Sequence, residues 1–175
     1  KNCAYVAKYN VHGDIIWLKT LPSSTNGKSK GNGIAVDAND NVIVVGDFNG
    51  SIDFDPADST ENIQTATNSD AFIWKLDLDG NLQWVKRVNS SYEVAAYGVT
   101  ADTSNNIVFS GLFTGSASMP GGSSISDNDN RGYICKLDNA GAFLWVNSLE
   151  DVPGDIYPSV VRADADNNYY VTGAY

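Results

Sequence analysis

One phrase recurs three times in this chain with its spacing kept. Lys8-Tyr9-Asn10-Val11-His12-Gly13 with Trp17, Lys75-Leu76-Asp77-Leu78-Asp79-Gly80 with Trp84, and Lys136-Leu137-Asp138-Asn139-Ala140-Gly141 with Trp145 share one layout. Each is followed by a second phrase: Ile34-Ala35-Val36-Asp37 to Gly46, Val99-Thr100-Ala101-Asp102 to Gly111, and Val161-Arg162-Ala163-Asp164 to Gly173. The tryptophans lie 67 and 61 residues apart. Self-similarity at a long period marks a stacked or circular array, because each unit buries its apolar faces against its neighbours.

Each copy predicts four strands of about five to eight residues, arranged as two hairpins. The first hairpin joins Tyr5-Val6-Ala7-Lys8, Phe72-Ile73-Trp74-Lys75 or Tyr133-Ile134-Cys135-Lys136 to the strand carrying the repeated Trp. Its turn ends in Gly13, Gly80 or Gly141, which supply positive φ without a Cβ penalty. The second hairpin turns at Asp37–Asn41, Asp102–Asn106 and Asp164–Asn168, where Asx side chains bond their own backbone. The strands leaving these turns, Val42-Ile43-Val44-Val45, Ile107-Val108-Phe109 and Tyr169-Tyr170-Val171, are apolar without a break, so both faces must be covered. Four-stranded antiparallel units repeated about every 60 residues and buried on both faces describe an all-β fold of propeller blades.

Residues 70–84 (Asp70-Ala71-Phe72-Ile73-Trp74-Lys75 through Trp84) and Gly33-Ile34-Ala35-Val36-Asp37 through Gly46 resemble the bacterial seven-bladed β-propeller repeat, and the likeness covers nearly the whole chain. The third copy departs from the pattern, with Val160 where Gly33 and Gly98 stand and Arg162 where Ala35 and Thr100 stand. The resemblance implies that the Gly-Ile-Ala-Val-Asp strand begins a blade and lies nearest the axis. Residues 1–30 are then the outer half of one blade, about 31–90 and 96–150 are two complete blades, and about 157–175 are the inner half of another. The opening Lys1-Asn2-Cys3 and the stop at Gly173-Ala174-Tyr175 read as a partial arc cut from a larger propeller. The remaining blades are expected from the same longer chain or from a second copy.

A formal charge of −10 argues against nucleic acid as a partner, since phosphate binding depends on Lys and Arg. No apolar run approaches the roughly 20 residues that span a bilayer as a helix. Cys3 and Cys135 occupy non-equivalent places in copies that should not touch, so no disulfide is expected, nor do they have zinc-site spacing.

Catalysis finds little foothold. His12, the single histidine, sits in a hairpin turn, and no nucleophile motif or metal-ligating histidine cluster can be assembled. Calcium is the one cofactor candidate. Asp77 and Asp79, Asp164 and Asp166, and Asp53, Asp55 and Asp58 place oxygen ligands at short intervals, as hard-cation loops do, and ordinary turn chemistry explains the same residues. Trp17, Trp84 and Trp145 should pack between blades rather than form a stacking platform. Trp74 stands where the other copies have Ala7 and Cys135, and either fills a gap between blades or surfaces near a rim as a binding residue. Lys8, Lys75 and Lys136 should lay their stems along a blade with the amine at the rim, a repeated Asp being a plausible partner. Arg162, a second binding candidate, should pair with an acid if its strand is central. Residues 47–70, 112–131 and 147–158 read as long inter-blade connections.

These features point to a non-enzymatic scaffold or binding module presenting inter-blade loops to a protein or glycan. The resemblance implies a secreted or surface-exposed bacterial protein. The alternatives are a subunit of an envelope or secretion assembly, and a carbohydrate-active enzyme with carboxylates at the axis.

Overall fold

The run Val42-Ile43-Val44-Val45 lacks a polar face because its two faces meet different neighbours. Ile43 and Val45 pack with Val99, Phe109, Tyr133 and Cys135, while Val42 and Val44 pack with Ala4, Val6, Leu21 and Trp74. The run Ile107-Val108-Phe109 divides in the same way, with Val108 joining Ile134 and Val161. Three apolar layers therefore alternate with the sheets, and burying both faces of each sheet is the main driving force of the fold.

The computed structural model describes residues 3–22, 27–55, 62–149 and 155–175, and among these it contains twelve strands and no helix. A hairpin of β1 (Tyr5–Tyr9) and β2 (Ile15–Thr20) comes first. It is followed by an antiparallel meander of β3 (Lys28–Val36), β4 (Val42–Asp53), β5 (Ile63–Leu76) and β6 (Leu82–Ser90). A second meander contains β7 (Glu93–Ala101), β8 (Ile107–Ser118), β9 (Ser124–Leu137) and β10 (Phe143–Ser148). The hairpin of β11 (Tyr157–Ala163) and β12 (Tyr169–Ala174) ends the chain. The two meanders touch through a single parallel bridge, Ser69 to Glu93, and a short antiparallel pairing of β6 with β8, closing a ring of β5, β6, β8 and β7. These sheets are the blades of a β-propeller.

Neighbouring blades come close together at their first strands. A Cβ on Gly33 would lie 2.3 Å from the Tyr97 carbonyl oxygen, and one on Gly98 would lie 2.7 Å from the Val161 nitrogen. The first strand is also bulged, its register shifting between Gly31 and Gly33 and again between Ala96 and Gly98. Opposite each bulge the second strand carries Gly46 or Gly111. A Cβ there would fall 1.9 Å from the Lys30 oxygen or 2.0 Å from the Ala95 oxygen, with the Phe72 or Tyr133 ring closing the other side. The bulge, the glycine and the ring form one packing unit.

Two of the long connections are strands. Within 47–70 and 112–131, β4 runs on to Asp53 and β8 to Ser118, each paired with the start of the following strand. Polar residues alternate here with buried Phe48, Ile52 and Ala66, or with Phe113 and Ala117, and this period of two extends the hairpin beyond the blade body. The Gly-, Ser- and Asp-rich composition hid that alternation. Of 147–158, residues 150–154 lie outside the described residues, as does Asp58.

Gly46→Ala is expected to destabilise the protein by about 3 kcal/mol or more, because the clash is with backbone. Gly31→Ala, whose new methyl would meet only ordinary contacts from 3.6 Å, should leave the urea midpoint nearly unchanged.

Candidate functional site

The repeated polar residues converge on the turns between blade strands. The Asp37 carboxylate accepts from the backbone N–H groups of Asn39 (2.9 Å) and Asn41 (3.0 Å) and from the Asn41 amide. Asp102 repeats this with Ser104, Asn106 and the Asn106 amide, and Asp164 with Asp166, Asn168 and the Asn168 amide. Asp77 closes the other type of hairpin turn in the same way with Asp79 and Asn81. In the first copy the pair is exchanged, Asn10 accepting from the His12 and Asp14 backbones and donating to the Asp14 carboxylate. The left-handed residue of each first-to-second-strand turn, Asp40, Asn105 or Asn167, has φ near 60°. Asn105 and Asn167 use that geometry to reach the preceding blade, accepting from the Ala38 and Thr103 N–H groups.

The repeated lysines end at the same turns, not at the rim. Lys75 Nζ lies 2.9 Å from the Asp37 carboxylate with both side chains buried, and Lys136 Nζ lies 2.8 Å from Asp102. Lys75 also donates to Asn139 in the next blade, as Lys8 donates to the Leu78 carbonyl at 2.9 Å. The tryptophans make the parallel contact. The Trp17 indole N–H donates to Leu78 O at 3.1 Å and the Trp84 indole N–H to Asn139 O at 3.2 Å. Each Trp is half-buried and packs against a layer between blades. Burial pushes the Asp102 carboxyl up, but hydrogen bonds from Lys136, the Asn106 amide and two backbone N–H groups outweigh it and hold the group at about 2. Asp37 is lowered for the same reasons.

The candidate calcium ligands are engaged by these N–H donors. Asp77 and Asp164 act within their own turns, and Asp53 accepts from the Asp55 and Asn62 backbones, at the end of the extended hairpin. Asp79 and Asp166 supply backbone N–H groups to those turns. Among the described residues no three His, Cys, Asp or Glu side chains are grouped to hold a metal. Trp74 is buried in the layer between the first hairpin and the first meander, edge-on to Phe54 at 6.2 Å. It fills the gap between blades and offers no surface to a ligand. Among the described residues Arg162 meets no acid: its guanidinium donates to the Val161 carbonyl, because its face of β11 is exposed. Cys3 and Cys135 are both free thiols, and burial pushes the Cys135 thiol up.

A different set of residues meets at the rim where the first strands begin. Lys30, Asp47, Glu93 and Tyr97 line a cleft of about 280 Å³ between the two meanders. Tyr97 continues into a neighbouring cleft of about 310 Å³ with Asn32 and Tyr157. Asn32 bridges the blades, its amide donating to Asp47 (2.8 Å) and to the Ala96 carbonyl (3.0 Å). Burial, the Asp47 and Glu93 carboxylates and the Tyr157 phenol all raise the Tyr97 phenol. The clefts thus combine an amine, two carboxylates, phenol donors and two aromatic faces. The sequence does carry a signal for them: Lys30 aligns with Ala95 and Tyr157, Asn32 with Tyr97 and Ser159, and Asp47 with Leu112 and Ala174. These columns change chemistry from copy to copy while the turn residues do not.

Blades built on one repeated set of turn contacts, with the non-repeated residues at a rim, define a repeat β-propeller. No protein-family model matches the chain. It is 25% identical, over 188 aligned positions, to an uncharacterized WD repeat-containing protein, L264, of Acanthamoeba polyphaga mimivirus. That alignment takes in 92% of this chain and 13% of the viral protein, so the chain spans a small part of its relative's length. This chain has no Trp-Asp dipeptide, and its repeat is longer than the roughly 40–45 residues of a WD unit.

Lys75→Met should cost about 3–5 kcal/mol, since it leaves the Asp37 carboxylate buried without its cation. The Asp102 pair is expected to add about 2 kcal/mol above pH ~4, lost as pH falls from ~4 to ~2, because a carboxyl with a depressed folded value must be protonated to unfold. Urea midpoints measured from pH 5 to 2 check this. Asp102→Asn should flatten the slope in that window.

Proposed function

We propose that this stretch of propeller is a non-enzymatic binding module that receives a peptide or glycan in the rim clefts around Tyr97. One contrast supports the reading. The residues that recur in every copy are engaged in turn and inter-blade contacts, whereas the polar groups that differ between copies meet at one concave rim. Aromatic faces beside carboxylate acceptors and an amine suit a ligand with apolar C–H faces and hydroxyl or amide donors. Proteins of WD-repeat architecture arrange blades around a central channel, and the name of the viral relative favours that architecture here. The likeness of residues 70–84 to the bacterial propeller repeat supports a secreted or surface-exposed setting. In that setting a rigid rim binds its partner without a large ordering cost.

Saturation-transfer NMR with neutral oligosaccharides and panning with displayed peptides test the reading. Binding should appear for one class, fall at least ~10-fold in Tyr97→Ala, and survive Arg162→Ala. Binding indifferent to Tyr97, or release of new reducing ends from the oligosaccharides, would count against it.

A further inference from the structure

The cleft beside Tyr97 continues past its own walls. Ser69 and Glu93 line it and also line a second cleft of about 610 Å³, which Asn49, Asn68 and Tyr92 bound on the far side. Both lie between the two complete meanders, on residues of β3 to β8 and of the turn that joins β6 to β7. Together they make one groove, with Tyr92 at one end and Tyr97, five positions further along the chain, at the other. At a strand rise of about 3.3 Å per residue, the two phenols are rooted about 16 Å apart, which leaves room for more than one sugar ring.

The Tyr92 end holds its ring outward on a fixed backbone. Tyr92 is 66% exposed, yet the turn that carries it is fastened from both meanders. From the first, Asp70 accepts the Ser90 N–H at 2.9 Å and the Asn68 amide donates to the Ser91 carbonyl at 3.0 Å. From the second, the Ser116 N–H donates to Ser91 Oγ, and the Ser116 carbonyl accepts the Ser91 N–H, both at 2.9 Å. The Tyr92 N–H itself donates to Ser90 Oγ. Gly115 leaves space for this turn, since a Cβ there would lie 2.7 Å from Ser91 Oγ. An aromatic face held in water by a fixed backbone loses little freedom when a ligand covers it.

The polar groups between the rings are open to a ligand. Lys30 and Glu93 line the same cleft, and among the described residues neither side chain makes a hydrogen bond or ion pair. Asn49 Oδ1 accepts from the Lys28 N–H at 3.0 Å, which leaves its amide donors, while Asn68 spends a donor on Ser91 and keeps its amide oxygen. A sugar hydroxyl donates and accepts at once, and a pyranose ring lays C–H groups on an aromatic face, so this mixture fits a glycan. A peptide anchors its side chains in apolar pockets, whereas the second cleft is walled by Asn49, Thr67, Asn68 and Ser69 about the small Ala66. Asp47 and Glu93 outnumber Lys30 in a chain of net charge −10, which repels an acidic glycan.

We propose that the groove binds an extended, uncharged glycan. One sugar stacks on Tyr92, another lies beside Tyr97, and the hydroxyls between them meet Glu93, Lys30 and the two asparagine amides. The site rests on the reading of the Tyr97 rim as a binding surface, and adds to it the second cleft, the Tyr92 platform and the class and length of the ligand.

Calorimetric titration with cello-oligosaccharides and with N-acetylglucosamine oligomers, from monosaccharide to hexasaccharide, tests the groove. Affinity in one series should rise with chain length by ~100-fold or more and then level off, with oligogalacturonates not binding. Tyr92→Ala should lower the hexasaccharide affinity at least ~10-fold with the β-sheet circular dichroism kept, and Tyr92→Phe, which keeps the ring, should lower it less than ~3-fold. Equal affinity for monosaccharide and hexasaccharide, preference for the acidic oligomers, or indifference to Tyr92→Ala would overturn the extended groove and leave the Tyr97 rim as a binding surface. Displayed peptides that bind through Tyr97, with no oligosaccharide bound, would do the same. Binding of neither class would overturn both readings. Should Tyr92→Ala fail to fold, the length series decides by itself.

Discussion

The buried contact between Lys75 and Asp37 is where the levels of this fold meet. The carboxylate organises the turn between the first two strands, accepting two backbone N–H groups and the Asn41 amide. The lysine arrives from the third strand of the same sheet at 2.9 Å and extends to Asn139 in the next one. Both charges are removed from water, so the pair is sustained only by complete hydrogen bonding. A shift of one residue in any of these strands would leave a buried charge, and the pair therefore specifies register within a blade and alignment between blades.

Because each such set spans a blade and its neighbour, conserved chemistry within the repeat is structural chemistry. The repeated aspartates hold turns, Lys75 and Lys136 neutralise two of them, and Trp17 and Trp84 donate to the following turn. A polar residue free to take a ligand has to be sought outside that set. The rim around Tyr97 is built outside it, since Lys30, Asn32 and Asp47 stand there in columns that alanine, tyrosine, serine or leucine occupy in other copies.

How far a sequence can be read depends on the range of the interaction that carries the information. The turns at Asp37, Asp77, Asp102 and Asp164 were legible because an Asx side chain bonds backbone two and four residues on. The two-sided burial of Val42–Val45 was legible because its unbroken apolar run leaves no face for water. The extension of β4 and β5 beyond the blade body was not, since Gly50, the serines and the aspartates there look like loop chemistry, and only pairing across the hairpin shows Ile52 and Phe54 buried.

The sequence by itself determined the repeat, the hairpins, the turn chemistry and the stacked all-β class, because each follows from local spacing and from which faces are apolar. Only the tertiary structure decided that Lys75 is buried against Asp37 rather than at a rim, that Trp74 is core, and that Arg162 donates to the Val161 carbonyl. It also decided that Lys30, Asp47, Glu93, Tyr97 and Tyr157 share adjoining clefts. These are meetings between strands far apart in sequence, set by sheet twist and by the separation of stacked blades, and no local period encodes them.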